Sequence, residues 1–440
     1  MQKERKTLLQ LFLPIFLELL FSMLTGMVDT VMLSSVSSQA VGAVGTATSY
    51  LNLFIMVFSV ISSGMIAVMT QYIGADQPGM AYQARRIGLL FNGALGVLLS
   101  VGLFFFAEPV ADLAGIAPAL RPHAAVYLRI VGGTSLLNAL TPIFSNYLRA
   151  FGHTRPAMAA AVICNLMNLV LNAVFLFGFD MGVAGVALAT ALSRAVNLLI
   201  VLVTSVWLVD ARTLTHRIGN RQIAGQILKI GLPSALESAL YSLAVALVVR
   251  FLNQMDAEGI NVTARSYAMV LNMLSACVGA ALSQANAILT GWRIGAGEFD
   301  QCDKGTRKAG NIGILVSFAV AFFFAAFGTP ILRLLTDDPA MIALVNRLLW
   351  IDVALEVGRA VNMVYGSALK TSGDALFTSI IGIIFMFLCA VGGTWLFGLQ
   401  MGLMAAGAYI GMALDECSRA VCMYIRWKSG VWRNKALIKR

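Results

Sequence analysis

Leu13-Pro14-Ile15-Phe16-Leu17-Glu18, close to the start of the chain, returns about 220 residues later as Leu232-Pro233-Ser234-Ala235-Leu236-Glu237. A proline and an acidic residue four positions apart, both inside apolar runs, are costly in a spanning helix, so their recurrence in the same order marks an internal duplication. Further pairs follow in register: Tyr72-Ile73-Gly74-Ala75 with Arg293-Ile294-Gly295-Ala296, and Leu148-Arg149-x-x-Gly152 with Leu369-Lys370-x-x-Gly373. Phe177-Gly178-x-x-Met181-Gly182 matches Phe397-Gly398-x-x-Met401-Gly402, and Ser193-Arg194-Ala195-Val196 matches Ser418-Arg419-Ala420-Val421 if a short insertion precedes the second copy.

The duplicated unit is hydrophobic. Of 440 residues, 59 % are apolar and only 12 % charged, a balance that cannot cover a water-soluble surface. Apolar runs bounded by charge, proline or glycine predict twelve helices, near 8–33, 43–73, 87–107, 124–149, 156–178, 183–209, 229–253, 263–292, 310–329, 341–370, 375–397 and 402–427. The organisation expected is a first lobe over 1–210, a cytoplasmic linker over 211–228 and a second lobe over 229–440. Six is even, so both lobes start on the same side of the membrane, and the repeat is parallel with a pathway between the lobes. The polar stretch from Asp210 to Lys229 is too short for a soluble catalytic domain. The six cysteines form no C-x-x-C pair, and the three histidines (His123, His153, His216) fall near helix ends or in loops, so neither a metal centre nor an intramembrane enzyme is expected.

The net charge of +10 orients the chain instead of marking a nucleic-acid partner. With both termini cytoplasmic, the inner segments hold 22 of the 31 basic residues, while the outer loops hold Arg121 and Arg333.

Ionisable groups at membrane depth cost at least ~2.5 to 3.5 kcal/mol and need a partner or a water-lined cavity. In the first helix Glu18, Ser22, Thr25 and Asp29 form one polar stripe, and Asp29 can accept a proton or ligate Na⁺. A carboxylate facing water at the outer helix end fits the position equally well. Asn165, Asn168 and Asn172 share a face of the fifth helix, and Thr190 opens toward the start of the sixth; such groups serve a cation or join neighbouring helices. In the tenth helix Asp352, Glu356 and Arg359 are spaced to meet, with Asn362 one residue short of a further turn; Glu356 and Arg359 fit either a substrate or proton role or a structural pair. Glu237, with Tyr241 one turn away, echoes Glu18 in the second lobe, and Glu18, Glu237 and Tyr241 are candidates for substrate binding or coupling. Arg194 and Arg419 read as repeat-related clamps.

The chain resembles the multidrug and toxic compound extrusion family over essentially its whole length. Val28-Asp29-Thr30, Ala40-Val41-Gly42-Ala43-Val44-Gly45, Gln71-Tyr72-Ile73-Gly74-Ala75 and Gly182-Val183-Ala184-Gly185-Val186-Ala187-Leu188-Ala189-Thr190 carry the resemblance. It implies an all-α polytopic membrane protein, two six-helix bundles in a V, that exports amphipathic, often cationic compounds against Na⁺ or H⁺ with no other cofactor. It also implies a monomer in a bacterial inner membrane, with small-molecule substrates and the lipid bilayer as its partners. The family's first-lobe cation site falls on Asp29, Asn168, Asn172 and Thr190, and its helix bend on Pro14. Two departures stand out. The second fifth-helix position, often Asp in proton-coupled branches, is Asn172, and the tenth-helix position that is Asp in branches with a second-lobe cation site is Arg359. The same superfamily also contains lipid-linked precursor flippases and exporters of anionic metabolites, which Arg194, Arg359 and Arg419 would suit.

Overall fold

The computed structural model describes residues 6–34, 38–209, 219–333 and 336–438. Lys3, Arg5, Lys439, Arg440 and linker positions 211–218 lie outside the described residues. The described chain is helical: α1 Leu8–Ser34, α2 Ser38–Gly74, α3 Pro78–Phe105, α4 Ala107–Leu113, α5 Arg121–Tyr127, α6 Ser135–Ala150, α7 Thr154–Ala173, α8 Gly182–Leu208, α9 Asn220–Met255, α10 Ile260–Ala296, α11 Phe299–Leu332, α12 Pro339–Ser372, α13 Ala375–Phe385 and α14 Met404–Lys428. Nine stretches among the described residues are long and apolar enough to cross a membrane.

The other expected spans fail that test for identifiable reasons. Residues 124–149 are interrupted at the turn residue Thr134, which separates the π-turn Leu128–Gly132 from α6, so neither piece is long enough by itself. Helices α12 and α14 carry Asp352, Glu356 and Arg359, and Asp415, Glu416 and Arg419, mid-length. Several helices also run past the expected apolar windows. α9 starts at Asn220 where 229 was expected, and α11 at Phe299 where 310 was expected. Backbone hydrogen bonding continues into the polar interface, where water solvates the side chains but does not interrupt the i to i−4 ladder.

Contacts divide the chain into two units. One holds Leu13–Leu232, and the other holds Thr7–Phe12 together with the residues from Pro233 onward. Both divisions fall inside continuous helices, next to Pro14 in α1 and at Pro233 in α9. Each proline lacks the N–H that would bond the carbonyl four residues earlier, so the ladder is weakest where the chain changes unit. In the first unit, Ala40, Ala43 and Ala47 of α2 share a buried cluster with Tyr127 of α5 and Val183 and Ala187 of α8. In the second, Ala264 and Ala268 of α10, Val345 and Leu348 of α12 and Ala405 and Ala408 of α14 do the same. Small residues at these crossings let backbones approach closely, as bundles in lipid require.

The duplication is visible in main-chain hydrogen bonds. α2 ends with Asp76 N bonded to Ile73 O and Gln77 N to Tyr72 O; α10 ends with Gly297 N to Ile294 O and Glu298 N to Arg293 O. α6 ends with Gly152 N to Arg149 O and His153 N to Leu148 O, and α12 repeats this with Gly373 N to Lys370 O and Asp374 N to Leu369 O. Three of the four turns carry glycine at the position that needs positive φ, and Asp76 (φ 61°) fills the fourth.

The later motif matches need correction. The π-turns Val174–Gly178 and Thr394–Gln400 are equivalent, with Met181 N bonded to Phe175 O and Leu403 N to Phe397 O. This pairs Phe175, not Phe177, with Phe397. Each turn needs two left-handed residues, supplied by Asp180 and Gly182 in the first copy and by Gly402 and Met404 in the second. Only one is a glycine in each, at opposite ends, which is why matching glycines shifts the register by two. No insertion lies between the π-turn and Ser418: α8 and α14 start at equivalent residues, so Arg194 falls opposite Glu416 and Arg419 has no basic counterpart.

The start of α9 packs within the first unit, where Gly231 faces the Val60 carbonyl of α2 and leaves no room for a side chain. Replacing Gly231 by Ala is expected to lower stability by about 1–3 kcal/mol through overpacking. Gly225→Ala, where nothing lies within 4 Å, should not destabilise. Thermal unfolding of both variants in detergent checks this.

Candidate functional site

A polar constellation of the first unit lies between α1 and α7. Asp29 is half-buried, Asn168 and Asn172 are buried, and their spacing on α7 places both amides on one face. Asn172 Nδ2 donates to Asp29 Oδ1 at 2.8 Å. With its amide turned so that nitrogen faces the carboxylate, Asn168 donates to Asp29 Oδ1 at 3.1 Å and Oδ2 at 2.9 Å. No arginine or lysine pairs with Asp29 among the described residues. Asn172 Oδ1 stays buried without a partner there, an acceptor oxygen beside the carboxylate. One turn of sequence before these amides, Asn165 Nδ2 donates to Ser22 Oγ at 3.1 Å, so α1 and α7 are joined along the polar stripe. α7 passes into the π-turn Val174–Gly178 directly after Asn172, an irregularity of the kind found at functional positions. Thr190 of α8 is not joined to this group by a hydrogen bond: its hydroxyl donates to Val186 O of its own helix at 2.8 Å.

Glu18 behaves differently from Asp29 on the same stripe. Arg149 Nη2 lies 2.5 Å from Glu18 Oε1, and both side chains are largely buried. Its echo has the same chemistry. Glu237 is 2.7 Å from Lys370 Nζ and accepts from Ser379 Oγ at 2.9 Å. The two basic partners are the repeat-equivalent residues that close α6 and α12, so the acidic and basic halves of the duplicated motif bind one another in each unit. Tyr241 is not tied to this pair by a hydrogen bond and is half-exposed. Pro14 is buried inside α1.

The second unit holds a denser network between α12 and α14. Gly358 allows it: a methyl there would lie 2.9 Å from Cys417 N, so the two backbones nearly touch. Within α12 Arg359 donates to Glu356; across the crossing it pairs with Glu416 at 3.5 Å, and Asn362 Nδ2 donates to Glu416 Oε2 at 2.8 Å. Arg419 pairs with Asp415 at 2.7 Å and Glu416 at 3.1 Å. Asp352 accepts from the Asn272 amide of α10. Sequence reasoning singled out Arg419 but missed Asp415, Glu416 and Asn272. The adjacent acids preceding Arg419 by three and four residues were the available signal.

The protein aligns with known transporters along its length. A profile of the MatE family matches residues 14–174 and again 233–396, the two halves of the duplication. The chain is 31 % identical over 437 residues to an uncharacterised transporter, YisQ, of Bacillus subtilis, covering 98 % of this chain and 96 % of that one. It is 26 % identical to the probable multidrug resistance protein NorM of Thermotoga maritima, covering 99 % and 95 %. Among solved structures, an outward-facing multidrug resistance MATE family transporter of the MOP superfamily matches with a TM-score of 0.86 at 21 % identity, covering 98 % of this chain and 96 % of that one. A MOP superfamily transporter from Pyrococcus furiosus, described as having a binding pocket of reversed polarity, matches with a TM-score of 0.85 at 21 % identity and the same coverage.

Removing one member of a largely buried ion pair leaves the other charge uncompensated. Glu18→Gln is therefore expected to lower stability by roughly 3 kcal/mol. Glu237→Gln should cost less, because Lys370 is 29 % exposed and can reach water. The exchange Glu18→Arg with Arg149→Glu should recover most of the loss, as read from thermal midpoints in detergent. On the matched profile and full-length relatives, this chain belongs to the MatE family of membrane transporters.

Proposed function

We propose that the protein is a secondary active antiporter, exporting amphipathic, cationic organic compounds in exchange for Na⁺ or H⁺ by alternating access. The observation that carries this reading is the Asp29 group. Its carboxylate is held by two buried asparagine amides and, among the described residues, by no basic side chain, on a helix whose hydrogen-bond ladder is interrupted at Pro14. A monovalent cation arriving at Asp29 neutralises the carboxylate and relaxes its demand for the Asn168 and Asn172 donors. α1 can then repack against α7 and change the cavity offered to the substrate. Thr190 adds a hydroxyl oxygen on the neighbouring helix.

In this reading the protein works as a monomer, spans a bacterial inner membrane with both termini cytoplasmic, and binds small molecules and lipid but no nucleic acid. One monovalent charge crossing the membrane supplies ~2.3 kcal/mol per 100 mV, which sustains a modest substrate gradient. A flippase or exporter of anionic compounds would call on basic residues in its cavity. Arg359 and Arg419 are poor candidates for that role, since both are engaged by carboxylates within their own unit.

The test is export of a fluorescent cation from liposomes under imposed ΔpH or ΔNa⁺. Asp29→Asn is expected to reduce gradient-driven export to the level seen without a gradient, and Asn172→Ala to weaken it about tenfold, the effect of one charge-assisted hydrogen bond. Wild-type export by Asp29→Asn under either gradient overturns the mechanism.

A further inference from the structure

Charge in the α12–α14 network does not balance. Asp352, Glu356, Asp415 and Glu416 are all at least nine-tenths buried, and they share two guanidiniums, those of Arg359 and Arg419. Glu356, Asp415 and Glu416 each contact an arginine. Asp352 contacts neither: it makes no ion pair among the described residues and is held by the Asn272 amide. Asn272 is 6 % exposed, and having given its nitrogen to Asp352 it leaves Oδ1 buried with no partner. Asp415 Oδ1 is orphaned in the same way. Buried acceptor oxygens without donors, beside a carboxylate without a cation, point to a missing positive charge.

We propose that Asp352, held by Asn272, is a proton-binding site in the second unit, separate from the Asp29 group and built on different helices. A proton from water adds to a carboxylate oxygen of Asp352 and leaves the same way; no other bond changes. The resulting O–H can be accepted by an oxygen, and Asn272 Oδ1, buried and unpartnered on the residue that holds Asp352, is one such acceptor.

The surroundings favour a proton over Na⁺. Sodium needs several converging oxygens, whereas here α12 presents Glu356 already bound to Arg359, and α14 presents Arg419 bound to Asp415 and Glu416. Tyr409 of α14 lies within electrostatic range of Asp352, Arg265 of α10 within range of Tyr409, and Tyr241 of α9 within range of Arg359. α11 contributes apolar groups here, with Phe322 edge-on to Trp350 and Ala325 in the shared core. A proton needs only one oxygen, and Asp352 supplies it without drawing on the carboxylates already bound to Arg359 and Arg419. The position is not the one at which the family resemblance would place a second-lobe cation site, which is occupied by Arg359.

The site is tested by infrared titration of the purified protein in liposomes, following the C=O absorption of protonated carboxyls as pH is raised. Asp352→Asn is expected to lack one carboxyl's share of that absorption, while Asp29→Asn keeps the Asp352 share even though its transport is lost. Asp352→Glu should restore the absorption. If wild type and Asp352→Asn superimpose at every pH, or if Na⁺ at fixed pH removes the Asp352 share, the assignment is overturned. Where Asp352→Asn does not fold, Asn272→Ala serves: it should move the pH at which the share disappears, and an unmoved pH also overturns the proposal.

Discussion

A carboxylate in a hydrocarbon slab must be neutralised locally, and what neutralises it decides what it can do. Water screens a surface acid at little cost, but inside a bundle the compensation has to be built from side chains or carried in by an ion. The buried acids of this protein fall into two groups under that constraint. Glu18 and Glu237 are closed by Arg149 and Lys370, and Glu356, Asp415 and Glu416 by Arg359 and Arg419. Among the described residues, Asp29 and Asp352 are hydrogen-bonded by asparagine amides and form no ion pair. The first group has basic side chains as its partners. The second has amides, which donate hydrogen bonds but bring no charge.

The duplication separates what recurs with the fold from what does not. Helix ends, left-handed turn residues, π-turns and the Glu–basic pairs recur in both units with matching hydrogen bonds, so these features belong to the scaffold. The uncompensated acids do not recur in register. One sits on α1 against α7 and the other on α12 against α10. The α12–α14 network likewise has no first-unit counterpart, since Arg194 falls where Glu416 stands. Two copies of one scaffold have diverged in the residues that handle charge.

Much of this was legible in the sequence because lipid makes its demands locally. A span must be apolar over its own length, so most helices lie where the runs predicted them, and Asp29, Asn168 and Asn172 could be grouped because helical periodicity places the two amides on one face. Three things were hidden. Helix extensions beyond the lipid, such as Asn220 to Lys229, follow from hydrogen-bond continuity and carry no hydrophobic signal. The register of the second copy was obscured because left-handed positions accept Asp180 or Met404 as well as glycine. Partners across helices were hidden most of all. Glu18 was read as a candidate for coupling because nothing at position 18 announces Arg149, 131 positions away.

The use of amides beside both open carboxylates has a chemical logic. A lysine or arginine would stabilise only the ionised acid and would resist a second positive charge. An amide carries both a donor and an acceptor. Asn172 gives Nδ2 to Asp29 and keeps Oδ1 unused; Asn272 does the same with Asp352. Facing the ionised carboxylate, the nitrogen donates. Facing a protonated carboxyl or a bound cation, a half-turn of the same amide presents oxygen without moving the helix backbone. The site can therefore remain hydrogen-bonded in both charge states, which keeps the energy difference between them small. An ion-coupled cycle requires that balance, since a site satisfied in only one state would bind its ion and hold it, or never bind it at all.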